Sequence, residues 1–286
     1  MTGRPKIDLA AVRSRHPHHF GRMDRAQITA AAVAAAALAL LIYGMGELGF
    51  FGGTFLAGLR RLGEILGLML PPDPGNWAHV RIFVMALLET VAIALLGTLS
   101  AAVLAVPLAL LAARNVTTAR LVRFLSRRSL DTIRSVDILV WALIWINVVG
   151  LGPFAGALAI MTSDIGSFGK LFSEAIEAAD RRPVEGIVST GGGRILGVRF
   201  GILPEVFPVL ASQILYYFES NTRSATIIGI VGAGGIGLHL AEAIRTLELP
   251  QVSFIILLIL AAVAAIDFVS SQLRFAMIGP RAGTAT

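Results

Sequence analysis

Apolar residues gather along this chain in long blocks separated by short charged stretches. The blocks cover residues 26–45, 81–113, 136–151, 153–172, 202–228 and 252–273. A helix that crosses a bilayer needs about 20 largely apolar residues. Each block is therefore read as one transmembrane helix, six in all, and the expected fold is an all-α polytopic membrane protein. The second block exceeds one bilayer thickness and should tilt or protrude, with Pro107 near its inner end. The fourth is interrupted by Thr162, Ser163, Asp164 and Ser167.

A different pattern fills the gap between the first two blocks. Phe55, Leu56, Leu59, Leu62, Ile65, Leu66 and Leu70 recur at helical spacing, with Arg60, Arg61 and Glu64 elsewhere on the wheel. Pro71, Pro72 and Pro74 end the run. This predicts an amphipathic helix lying on the outer membrane face; the alternative is a docking surface for an external partner. The expected layout is a basic tail over 1–25, a first transmembrane helix over 26–46 and an external segment over 47–80. A core of five transmembrane helices follows over 81–278, with a cytoplasmic loop at 173–203 and a carboxyl tail at 279–286.

Composition agrees with lipid as the main solvent. Of the 286 residues, 56% are hydrophobic and only 15% charged, and the mean hydropathy is +0.78. Soluble domains hold about 25% charged residues, so this chain has too little charge for an aqueous surface. It has no cysteine, which excludes disulfides, thiolate metal sites and thiol chemistry. Cytoplasmic loops carry the excess of Lys and Arg. Six spans with both ends inside put nineteen of the 24 basic residues on one side and five on the other. The basic region is long, and the apolar stretch after it exceeds a signal's usual length and has no clear small-x-small site behind it, so the first span is read as retained. His16, His18 and His19 have no carboxylate or thiol nearby and are not read as a metal site.

The loop 173–203 holds the most specific signals. It reads as a short helix, a turn at Pro183, a second short helix and a stop at Gly191, Gly192 and Gly193. Pro183 suits a first helical turn, and Glu185 sits where the helix dipole favours a negative charge. Pro204 opens the next span. Glu185-Gly186-Ile187, three residues, Gly191, then twelve residues to Pro204 resembles the EAA loop of ABC importer permeases, with Gly186 and Ile187 standing for the two alanines.

Other segments are similar to phosphonate-import permeases. They are Leu108 to Asn115, Val140 to Trp145, Val149 to Gly156, Gly169 to Glu177, and Asn221-Thr222-Arg223-Ser224-Ala225-Thr226 leading into Gly229 to Gly237. The resemblance implies a type I ABC importer permease, a homodimer with two cytoplasmic ATPase subunits and an external binding protein in the inner membrane. It implies that Pro183, Glu185, Gly186, Gly191 and Pro204 belong to a coupling element that docks on the ATPase. The candidate pathway residues are Asn221, Arg223, Thr226, Gly232, Gly234 and Gly235. No metal or cofactor is expected on this chain, and ATP and Mg belong to the partner. Phosphate, phosphite or another small oxyanion is the alternative cargo, and a secondary transporter driven by an ion gradient is the alternative class.

Gly232-Ala233-Gly234-Gly235-Ile236-Gly237 matches a dinucleotide-binding pattern, but no βαβ unit surrounds it. Two readings stay open for these glycines. One is close helix packing. The other is a re-entrant turn whose N–H groups receive oxyanion oxygens. Further polar residues inside the blocks include Glu89, Asp137, Asn147, Glu219, Asn221, Arg223 and Asp267. Glu219 and Arg223 are four apart and share a helical face. They are read either as an ion pair or, through Arg223 and Asn221, as contacts to an anionic head group near the external mouth. Glu89 and Asp267 would repel such a group and are read as structural or dimer contacts. No nucleotide-binding loop, paired carboxylates or catalytic triad appears, so the chain is not expected to be an enzyme.

Overall fold

The computed structural model describes residues 25–50 and 53–278, and these are helical with connecting turns. The three amino-terminal histidines lie outside the described residues. The chain divides into two compact units, residues 1–67 and 68–286.

The first unit contributes α1 (Arg25–Glu47) and most of α2 (Gly53–Leu68). α1 buries none of its residues, and Leu40 is 73% exposed. A bare helix of 23 leucine- and alanine-rich residues, about 35 Å long, suits lipid rather than water. Along α2 the apolar residues Phe55, Leu56, Leu59, Leu62, Ile65 and Leu66 are exposed. Arg60 and Glu64 pair one turn apart at 3.5 Å.

The second unit is built on α3 (Trp77–Ala112). Asn76 caps it by accepting from the His79 N–H. Its small residues let neighbours approach: Ala94, Ala101, Ala105 and Ala109 are fully buried. A Cβ at Gly97 would sit 2.7 Å from Cβ of Ile160. Close approach of this kind drives helix association where lipid supplies no hydrophobic force. Three apolar layers follow one another along α3. The first gathers Phe83 and Ala86 with Ile236 and Ile255. The middle one gathers Ile93 and Ala94 with Ile160 and Ile228. The third joins Ala101 to Ala113 with Phe168, Phe172 and Val206.

Residues 114–134 are not the plain connection the apolar pattern suggests. They contain α4 (Arg120–Arg134), followed by α5 (Ile138–Val149) at 88° to it. α5 has 12 residues, about 18 Å, and is too short to cross a bilayer alone. α4 packs on α6 (Pro153–Ala178), where Gly166 and Gly169 leave room for Leu130 and the Arg134 backbone. The predicted short helix before Pro183 is also corrected: residues 173–178 simply continue α6. Then come α7 (Arg182–Ser189), a turn α8 (Arg194–Leu196), a π-helical stretch Gly197–Ile202 and α9 (Leu203–Ile230). α10 (Ile236–Arg245) and α11 (Leu249–Ile278) complete the unit. Among the described residues four helices are long and apolar enough to cross a membrane, or five when the bent pair α4–α5 is counted as one span.

Candidate functional site: an outward helix, a glycine turn and a charged face

α7 is a short helix held firmly at its base and open elsewhere. Pro183 lies in its first turn, with Glu185 beside it. Asp180 turns the chain into it by accepting from the Arg182 N–H at 3.1 Å. The Asp180 N–H donates to Glu205 Oε1 at 2.8 Å, which ties the start of α7 to the start of α9. Val184 lies over Gly197 and Gly201 of the π-helical stretch, where a Cβ would come within 3.1 and 3.0 Å of its methyl groups. Larger residues there would push α7 off. At the other end Gly191 takes φ +85°, and the Gly192 N–H donates to the Ile187 carbonyl. Pro183, Glu185, Gly186, Val188 and Ser189 face outward. A Cβ on Gly186 would meet nothing within 4 Å, so this side is open to a partner surface. A largely apolar groove of about 620 Å³ runs beside the helix, lined by Val184, Val188, Ile195 and Leu203 among others. Pro204 opens α9 and is exposed.

The end of α6, just before α7 in the chain, is fixed by one carboxylate. Glu177 at the end of α6 accepts from the Arg114 N–H at 2.6 Å and from Arg127. Arg127 also donates to the Ala112 carbonyl at 3.0 Å. α3, α4 and α6 thus meet at one charged point.

The glycine turn between α9 and α10 is packed and hydrogen-bonded. Gly232, Gly234 and Gly235 all take positive φ. A Cβ on Gly235 would lie 2.3 Å from Thr90 Oγ1, and one on Gly234 2.8 Å from Glu89 Oε1. The Gly235 N–H donates to Glu89 Oε1 at 3.1 Å and the Ile236 N–H to Thr90 Oγ1 at 2.8 Å. The Gly232 carbonyl accepts from the Gly152 N–H at 3.0 Å. Two N–H groups that could face an oxyanion are therefore already satisfied by α3. Glu89 has a structural task here, capping α10.

Asn221 and Arg223 point in different directions. Asn221 is buried, and its amide donates to Thr98 Oγ1 at 2.8 Å and to Asp164 Oδ2. Thr226 is buried and donates back to the Thr222 carbonyl. Arg223 is on the exposed side, 3.3 Å from Glu219. Glu219 also meets Arg274 at 3.4 Å, and Arg274 meets Asp267 at 3.8 Å. Arg274 lies in the last turns of α11. Arg274 falls one residue beyond the apolar block 252–273, so hydrophobicity alone does not mark it. Its separation of seven from Asp267, two helical turns, is the signal that could have found it.

Residues 105–279, more than half of the chain, match the family described as binding-protein-dependent transport system inner membrane component. HtxC of Stutzerimonas stutzeri is 39% identical over 222 residues, 78% of this chain and 78% of its own length. PtxC of the same organism, a phosphite transport system permease protein, is 36% identical, covering 77% of this chain and 79% of its own. The phosphate-import permease protein PhnE of Mycolicibacterium smegmatis is 33% identical over 79% of this chain and 42% of its own length. In fold the chain is similar to the MetNI methionine ABC transporter, with a TM-score of 0.61, 18% identity, and coverage of 71% of this chain and 99% of that one. The chain belongs to the inner-membrane permeases of binding-protein-dependent ABC importers, within their phosphonate-import family, and is a multi-pass membrane protein.

Proposed function

We propose that this chain forms the translocation pathway for phosphonate, or for its relatives phosphite and phosphate, in an ATP-driven importer. The observation that carries the reading is α7: an eight-residue helix anchored through Val184 and Glu205 to the root of α9, with Glu185, Gly186 and Val188 turned outward. A push on α7 reaches α9 without passing through a flexible loop. A separate ATPase that closes on ATP and Mg would use it as a handle, and alternating access follows as the long helices rock. An external binding protein delivers the cargo. A second copy of the chain supplies the other half of the pathway.

Six spans with both ends in the cytoplasm fit this reading. They are α1, α3, the broken pair α4–α5, α6, α9 and α11, and they leave α7 on the side where Lys and Arg are concentrated. The polar residues of α6 are consistent with a span, because Asp164 faces Asn221 and not lipid. Oxyanion cargo is supported by the names of the relatives and by Arg223, whose planar fork offers paired donors. We assign Asn221, Thr226 and the glycine turn to the wall behind the pathway, which they hold in shape.

The test uses the permease with its ATPase and binding protein in nanodiscs. Phosphonate, phosphite or phosphate should stimulate ATP hydrolysis, and Glu185→Arg should abolish the stimulation while the subunits still co-purify. Unchanged hydrolysis and transport in that variant would remove α7 from the coupling role.

A further inference from the structure

The charged face of α9 and α11 carries more than an ion pair needs. Glu219 lies beneath two guanidiniums from different helices, Arg223 on Oε1 at 3.3 Å and Arg274 on Oε2 at 3.4 Å. Its side chain is 10% exposed, while Arg223 is 52% exposed and Arg274 23%. Asp267, 58% exposed, adds a second carboxylate 3.8 Å from Arg274. Exposed charges on long apolar helices do not face hydrocarbon; they mark a water-filled path or a protein partner.

The contacts are also loose. Charge-assisted N–H···O bonds run at about 2.7–2.9 Å, and both of these are longer. Each guanidinium gives Glu219 a single nitrogen, Nη2, out of the five N–H donors it owns. Most of the donor capacity of this pair of arginines is unspent on Glu219, and Arg223, half exposed, keeps its share within reach of a further acceptor.

We infer that Arg223 and Arg274 form an exchange site for the transported oxyanion, with Glu219 as the internal anion that holds them when no cargo is present. The inference rests on the importer reading. A tetrahedral phosphorus oxyanion carries three oxygens in phosphite and phosphonate and four in phosphate, so it satisfies donors that one carboxylate leaves open. Two arginines without a counter-charge would hold an anion too tightly to release it. Glu219 offsets part of their charge, so the cargo enters and also leaves, the balance that conduction requires. Arg274 and Glu219 become specificity-determining residues alongside Arg223. Asp267 steadies Arg274 through the same nitrogen, Nη2, at 3.8 Å.

The roles predict effects of opposite sign, which a merely structural ion pair does not. The whole importer in proteoliposomes is first tested for uptake of methylphosphonate, phosphite and phosphate. Equilibrium binding of radiolabelled phosphite and phosphate is then measured on the permease–ATPase complex without the binding protein. Arg223→Gln and Arg274→Gln should each weaken binding at least about tenfold, the loss expected for one charged hydrogen-bond partner. Arg274→Lys, which keeps the charge and loses the fork, should recover part of that loss. Glu219→Gln should tighten binding severalfold and slow uptake, because the competing internal anion is gone. If Arg274→Gln fails to assemble, Arg274→Lys and Glu219→Gln carry the test, since both keep the side-chain volume. Weaker or unchanged binding in Glu219→Gln, or no measurable oxyanion binding by the wild-type complex, overturns the exchange site. Absence of uptake of all three oxyanions by the wild-type importer instead overturns the importer reading itself.

Discussion

Asn221 lies where three helices meet, and removing its amide should cost stability before it costs recognition. Its Nδ2 donates to Thr98 on α3 and to Asp164 on α6. Thr98 is fully buried, and Asp164 and Asn221 are each 4% exposed. Asn221→Ala breaks both bonds and leaves Asp164 enclosed without that donor. Hydrogen bonds between transmembrane helices are worth about 0.6 kcal/mol on average and about 1.7 at most. Those to an acidic group reach about 1.5–3 kcal/mol, and an abandoned buried polar group costs about 1–3 more. The upper end applies here, because neither lipid nor water can reach the junction to replace the lost partner. Asn221→Ala should therefore destabilise the subunit by about 2–4 kcal/mol. A double-mutant cycle with Asp164→Ala should give a coupling of about 1–2 kcal/mol. The assay is SDS-induced unfolding in mixed micelles, run beside oxyanion binding to the assembled complex. A coupling under about 0.3 kcal/mol, with oxyanion affinity reduced instead, would refute the structural reading and return Asn221 to the pathway.

Other substitutions probe the close approaches. Gly235→Ala places a methyl 2.3 Å from Thr90 Oγ1 at φ +72°, so strain and overpacking together should cost about 2–5 kcal/mol; thermal unfolding in detergent should show a clear drop, and a shift within error would mean that the turn is not built this way. Thr90→Val removes the cap on the Ile236 N–H and should cost about 1 kcal/mol by the same measurement. Gly169→Ala meets the Leu130 methyl groups at 2.4 and 2.9 Å, so it should destabilise alone and recover when combined with Leu130→Ala.

The strongest signals in the sequence are local ones. Pro183, Glu185 and Gly191 mark the two ends of α7 because each acts on its own backbone: ring, dipole and left-handed φ. The long apolar helices declare themselves in the same way. α4 is hidden because its arginines read as loop charges, although Arg127 and Leu130 are its anchors on α3 and α6. The polar residues of α6 look like breaks in a span, yet Asp164 and Thr162 find partners in Asn221 and Trp145. The glycine turn is visible as a pattern, but its partners Glu89 and Thr90 lie 146 residues away. Nothing in a single chain announces a pairing of that kind. Arg274 escapes for a related reason: its meaning comes from Glu219 on another helix.

The central claim is that α7 faces the cytoplasm and grips a separate motor subunit. The chain has no cysteine, so a single cysteine introduced at Ser189, on the exposed end of α7, gives an unambiguous reporter. In cells expressing the whole importer, a membrane-impermeant maleimide should leave this cysteine untouched from outside. It should label the cysteine in inverted vesicles stripped of the ATPase, and restoring the ATPase should protect it. Labelling in intact cells would put α7 on the wrong side of the membrane, and the coupling account would not survive it.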